Sequence, residues 1–271
     1  MGEETASAEG ASAVGNAVVH FEVGAADDGP LVAFYAELFG WGLQDFPGGA
    51  YTMIDTRGGS GINGGIGKSQ TGEPWSAFYV ETDDLQATLG KANSLGGTTV
   101  LPVTDFGGGV TIAMFNDPDG LLIGLVRAPA EAAQGDAPAP SAGPGAPVTW
   151  FEVMGPDAAR TQRFYTDLFG WTVDNSAFPG YATVDTGTSR GIQGGLGGGV
   201  DASWATVYAK VADVDQALSR VEKLGGSLIS APGVPALKAA ARAALYGAAD
   251  DHMKTGAFRD PSGNVFGIFH Y

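Results

Sequence analysis

From Val18 the chain alternates with a period of two: Val19, Phe21 and Val23 fall on one face of a strand and Val18, His20 and Glu22 on the other. The period then changes. Leu31, Phe34, Tyr35 and Leu38 have the spacing of a helix face, with Asp27 placed to cap its start and Gly40 to end it before Trp41. Short strands follow at 41–45 and 51–56, then a glycine-rich stretch at 61–67. A second unit opens with a strand at 77–82. It continues into an Asp84-capped helix carrying Leu85, Leu89 and Ala92, stops at Gly96 and Gly97, and ends in strands near Thr99, at 110–115 and at 121–126.

The whole pattern then recurs. VVHFEV at Val18 returns as VTWFEV at Val148, an offset of 148 − 18 = 130, and FYAELFGW at Phe34 returns as FYTDLFGW at Phe164. Between 18–67 and 148–197, 19 of 50 positions are identical without a gap, which marks a tandem duplication. WSAFYVETDDL from Trp75 matches WATVYAKVADV from Trp204, and FNDPDG at Phe115 matches FRDPSG at Phe258. The expected organisation is a disordered tail at 1–16, a domain at 17–127, a Pro/Ala linker at 128–147 and a second domain at 148–271. The second domain carries an alanine-rich insert of helical propensity at about 235–256. The fold class is α+β, with four strand–helix–strand–strand–strand units.

Charge narrows the partners. Fourteen Lys plus Arg against thirty Asp plus Glu give −16, the wrong sign for nucleic acid or an anionic membrane. Without cysteine there is no disulfide, no thiolate metal site and no cysteine nucleophile. The N-terminal residues have neither the basic nor the apolar part of a secretory signal, and no eighteen apolar residues run together, so a cytoplasmic protein is expected.

In that order and twice over, HFEV…FYAELFGW, VETDDL with LGG, and NDPDG, with their second copies, resemble the vicinal oxygen chelate superfamily. This is the glyoxalase, bleomycin-resistance and extradiol-dioxygenase group, and the nearest resemblance is to its two-domain, glyoxalase-like actinobacterial type. The resemblance implies sheets curled into cups with helices outside and a small-molecule pocket within. In metal-dependent members it also implies ligands on the opening strand of each unit and on its last strand. Here those positions hold Val18, Ala77 and Gly124 in the first copy and Val148, Thr206 and Gly267 in the second. The remaining stretches, 57–72 and 187–200, offer no His, Asp or Glu as ligands, the second only partners of the Gln193 kind. No cofactor is expected; a divalent metal on displaced ligands is the alternative.

The strand period directs Val18, His20 and Glu22 into the first cup, opposite Ala77, Tyr79 and Glu81, and Val148, Trp150 and Glu152 into the second, opposite Thr206, Tyr208 and Lys210. His20, Glu22, Tyr79, Glu81, Trp150, Glu152, Tyr208 and Lys210 are the candidate ligand-binding set. His20, Glu22 and Glu152 are the candidates for proton transfer, His20 because imidazole titrates near neutrality. Trp75 and Trp204 read equally as pocket rims or sheet-edge packing, and His270 reads as structural. Asp250, Asp251 and His252 read as the polar end of a surface helix before a weak metal site. GSGING at Gly59 and GINGGIGKS at Gly61 are rejected as nucleotide loops, since no helix follows and the spacing is wrong. The expected function is metal-independent binding or processing of a small organic molecule by a monomer or homodimer. A metal-dependent lyase, isomerase or dioxygenase and a ligand-sequestering resistance protein are the alternatives.

Overall fold

In the computed structural model the described residues are 16–46, 49, 51–69, 71–127, 139–229 and 254–271. The first half runs β1 (Val18–Ala25), α1 (Gly29–Phe39), β2 (Gly42–Asp45), β3 (Tyr51–Asp55), β4 (Asn63–Lys68), β5 (Trp75–Thr82), α2 (Leu85–Ser94), β6 (Thr98–Asp105), β7 (Thr111–Asn116) and β8 (Leu122–Arg127). The second half repeats it: β9 (Val148–Gly155), α3 (Ala158–Phe169), β10 (Thr172–Phe178), β11 (Tyr181–Asp185), β12 (Gln193–Gly198), β13 (Trp204–Lys210), α4 (Val214–Lys223), β14 (Ser227–Leu228), β15 (Lys254–Arg259) and β16 (Val265–His270). These are two tandem α+β domains of βαβββ units. Most of the 235–256 insert, with Asp250, Asp251 and His252, lies outside the described residues; its last three residues belong to β15. Among the described residues no helix is long and apolar enough to cross a membrane.

Each domain is one eight-stranded sheet, ordered β2-β3-β4-β1-β5-β8-β7-β6 and β10-β11-β12-β9-β13-β16-β15-β14. The two units of a sheet meet where β1 runs antiparallel to β5, and β9 to β13. The glycine-rich stretch is β4, parallel to β1, and its glycines make room for rings: a Cβ at Gly64 would meet the ring of Phe21, and one at Gly65 the hydroxyl end of Tyr51. Both FGW segments end their helices at a glycine in the left-handed region, Gly40 at φ 71° and Gly170 at φ 72°. The start of α1 differs from expectation. Asp28 takes the cap position without a side-chain bond, and Asp27, one residue before it, accepts from the Gly29 N–H.

The parity of β1 also differs at its first residues. The β1–β5 register slips between Val18 and His20, so Val18 and Val80 are partners and then His20 and Tyr79; β9 does the same between Val148 and Trp150. This bulge turns Val18 and Val148, both fully buried, into the core instead of the cups, while leaving His20, Glu22, Trp150 and Glu152 on the cup side.

The opposite faces of the two sheets share one apolar core. Phe78 of β5 meets Phe151 of β9 at 5.1 Å between ring centroids, and Phe21 of β1 meets Phe266 of β16 at 5.8 Å. Polar clasps cross between halves in reciprocal pairs. The Tyr35 hydroxyl donates to Asp260 at 3.0 Å and that of Tyr165 to Asp117 at 2.9 Å. The Trp41 indole donates to the Ala146 carbonyl and that of Trp171 to the Asn16 carbonyl. Asp117 and Asp260, the first acidic residues of the NDPDG and RDPSG turns, also accept backbone N–H bonds within their own turns. Burial of each tyrosine–aspartate pair makes these bonds costly to break from one side. Tyr165→Phe is therefore expected to lower the unfolding free energy by about 1.5–3 kcal/mol. Denaturant titration checks this, and an unchanged midpoint would remove the clasp from the account of stability.

Candidate functional site

In the first cup, β1 carries His20 and Glu22, β3 carries Tyr51 and β5 carries Tyr79 to one spot. His20 Nε2 lies 2.8 Å from the Tyr51 hydroxyl and 3.7 Å from Glu22 Oε1. The Tyr79 hydroxyl donates to Glu22 Oε2 at 2.5 Å. Tyr51 also lies beside the Glu22 carboxyl, and both phenols are pushed well above the usual tyrosine range, first by burial and then by the Glu22 charge. They remain hydroxyl donors at any ordinary pH. The side chains of His20 and Glu22 keep 26% and 14% of their surface open, so a molecule in the cup can reach both. Around them lie apolar walls from Trp75, Leu101, Ile112 and Met114.

The second cup repeats the carboxylate and the tyrosines. Glu152 accepts from Tyr208 at 2.7 Å with Tyr181 beside it, while Trp150 stands where His20 stands and reaches Tyr181 at 3.4 Å. One donor is added, since the Trp204 indole N–H reaches Glu152 Oε2 at 2.8 Å. Glu152 is 3% exposed, and burial raises its pKa despite three donors that pull it down.

Two tryptophans at matching places thus behave differently, and the strand beneath explains it. A side chain at Gly24 would collide with the Trp75 indole, which lies across Gly24 and Gly67. At the corresponding place β9 has Met154, whose sulfur lies over Gly197 and fills that volume. Trp75 settles on the glycines, whereas Trp204 bonds the carboxylate.

The other sequence candidates lie elsewhere. Glu81 is 3% exposed and holds the Arg190 guanidinium of the other domain with two 3.1 Å bonds, so it ties the halves together and is not a free lining group. Lys210 stacks over the Tyr271 ring at 3.6 Å. The His270 imidazole bonds the Val211 carbonyl. Tyr51 and Tyr181 were not among the expected site residues; the repeated Tyr at offset 130, each facing a glycine of the neighbouring strand, was the available signal.

The residues do not fit the metal centre that the fold suggests. Val18 and Val148 point into the core, Ala77 and Gly124 carry no donor, and a side chain at Gly124 or Gly267 would enter the ring of Tyr79 or Tyr208. Among the described residues no three His, Asp or Glu converge.

Comparison with known proteins agrees with the fold. Residues 17–125 match the Glyoxalase/Bleomycin resistance protein/Dioxygenase superfamily model, and residues 148–187 the Bleomycin resistance protein-like N-terminal model. The chain is 26% identical over 226 residues to the glyoxylase-like CFP32 protein of Mycobacterium tuberculosis, covering 76% of this chain and 81% of that one. It is 37% identical over 108 residues to the anthracycline biosynthesis protein DnrV of Streptomyces peucetius, covering 33% of this chain and 38% of that one. Among solved structures, the Mn(II)-bound glyoxalase of Novosphingobium aromaticivorans superposes with a TM-score of 0.61 at 15% identity over 94% of this chain and 82% of that one. The 2,3-dioxygenase LapB of Pseudomonas sp. KL28 superposes with 0.60 at 14% identity over 95% and 93%.

The raised pKa of Glu152 has a signed consequence. Above the ordinary glutamate value of 4.5 the unfolded chain has lost a proton that the folded chain still holds, so the Glu152 contribution to stability falls as pH rises through the raised value. The stability of the wild type relative to Glu152→Gln is therefore expected to decline from about pH 4.5 upward. Denaturant midpoints of both proteins across that range measure it, and a difference that grows with pH would reverse the sign.

Proposed function

Because the chain belongs to the glyoxalase/bleomycin resistance/dioxygenase superfamily, we propose that its first cup binds a small organic molecule without a metal, and that its second cup is a closed structural counterpart. The observation that carries this reading is the difference between the carboxylates: Glu22, beside a partly open His20, faces the first cup, while Glu152 is sealed by Tyr208, Tyr181 and Trp204. The domains are taken as 17–127 and 148–271. Apolar walls above a polar floor suit a flat ligand with one hydrogen-bonding end. The likeness of part of the chain to an anthracycline biosynthesis protein supports a hydroxylated polycyclic aromatic as ligand class.

Dihydroxyanthraquinone is the first probe, with binding read by tryptophan fluorescence and calorimetry. One site per chain is expected, weakened about tenfold or more by His20→Ala, untouched by Trp150→Phe and unchanged after dialysis against a chelator. Equal loss from Trp150→Phe would move the site to the second cup, and loss on chelation would restore a metal centre.

The closeness of His20 to Glu22 supports a second reading, in which the imidazole removes and returns a proton on the bound molecule. Dihydroxyanthrone, with its acidic methylene, is expected to exchange those hydrogens with deuterated solvent faster in the presence of the protein. The acceleration should vanish in His20→Ala. Exchange at the buffer rate with wild type would leave binding alone.

A further inference from the structure

We propose that the ligand of the first cup presents a protonated amine to Glu22, in the place that the Trp204 indole N–H occupies against Glu152. This rests on the reading of the first cup as the binding site and specifies the chemistry of its polar end.

The two cups are an internal comparison, since both place a carboxylate on the central strand with a tyrosine from each neighbouring side: Tyr51 and Tyr79 at Glu22, Tyr181 and Tyr208 at Glu152. They differ in the third donor. At Glu152 it is Trp204, at 2.8 Å. At Glu22 the matching Trp75 lies across Gly24 and Gly67 instead, and the nearest other nitrogen, His20 Nε2, stands 3.7 Å from Oε1, beyond bonding distance. The second cup therefore contains its own ligand, a flat ring whose N–H meets the carboxylate, and the first cup has the same acceptor with that donor withdrawn.

The missing group must bring a hydrogen. A carboxylate has about four acceptor positions and no proton to offer, and both tyrosine hydroxyls can serve it without leaving one for the ligand. Charge selects among donors. The residues that gather with Tyr79 are apolar or aromatic, so His20 is the basic group facing Glu22, and its Nε2 stands beyond bonding distance of the carboxylate. A cation there gains a weakly screened carboxylate and the faces of Trp75, Tyr51 and Tyr79. An anion would meet Glu22 unopposed.

The test uses the full chain at pH 8 with three anthraquinones that differ in one substituent: aminomethyl, hydroxymethyl and carboxyl. The aminomethyl compound is expected to bind about tenfold or more tighter than the hydroxymethyl one, with the carboxyl compound weakest, and the preference should collapse in Glu22→Gln. Equal affinities, or preference for the carboxyl compound, would overturn the amine inference and leave the binding reading standing. No binding by any of the three would overturn both. Gly24→Met gives a second arm that leaves Glu22, His20 and both tyrosines in place: it should drive Trp75 off the strand toward Glu22 and abolish aminomethyl binding in a variant that still unfolds in one cooperative transition. Full binding by that variant would show that the position of Trp75 does not leave the site vacant.

Discussion

Neither sheet can bury its apolar face alone, and that constraint organises the molecule. Each strand pair at the centre of a sheet turns phenylalanines outward from its cup, and only the other sheet covers them, Phe78 against Phe151 and Phe21 against Phe266. The hydrophobic term is non-directional. Direction comes from the hydrogen bonds that surround the shared core, the crossed tyrosine–aspartate pairs and the crossed indole–carbonyl pairs, which admit one mutual placement of the halves. With the outer faces so committed, the inner faces are left to line the cups.

Duplication supplied two equal cups, and side chains on one strand made them unequal. The carboxylate and both tyrosines persist in each, because a buried acceptor must keep its donors. What differs is the histidine at 20 against the tryptophan at 150, and the glycine at 24 against the methionine at 154. The second pair acts at a distance: the volume of Met154 decides where a tryptophan from the neighbouring strand lies, and the tryptophan decides whether a carboxylate has a spare acceptor. In one half the carboxylate is closed over by an indole and a phenol, and in the other it stays partly open.

Much of this architecture was legible in the residues. The repeat, the helix-ending glycines and the strand alternation of β1 are local signals, and Asp84 caps α2 as its spacing implies. What escaped was non-local. A bulge after Val18 has no marker in a run of β-branched residues, so the first residue of each opening strand was assigned to the wrong face. Glu81 looked like a pocket residue because its partner, Arg190, lies 109 positions away on the other domain. Tyr51 was passed over because its role depends on the bare backbone of Gly65 on the next strand. The chemistry of NDPDG and RDPSG was likewise invisible as a clasp, since the bond that matters reaches the other copy.

The crossed anchoring of the two entry segments bears on the covalent connection between the domains. The residues leading into β9 are held by Trp41 of the first domain, and those leading into β1 by Trp171 of the second. Each domain therefore receives its partner's opening strand as a separate chain would be received, by surface and hydrogen bond and not by sequence adjacency. The peptide joining them raises the effective concentration of one half around the other, a contribution of loop-closure entropy. In symmetry terms the molecule is a two-fold dimer written on a single chain, and the fusion lets its two cups carry different residues, since a true dimer of identical chains must carry every substitution twice.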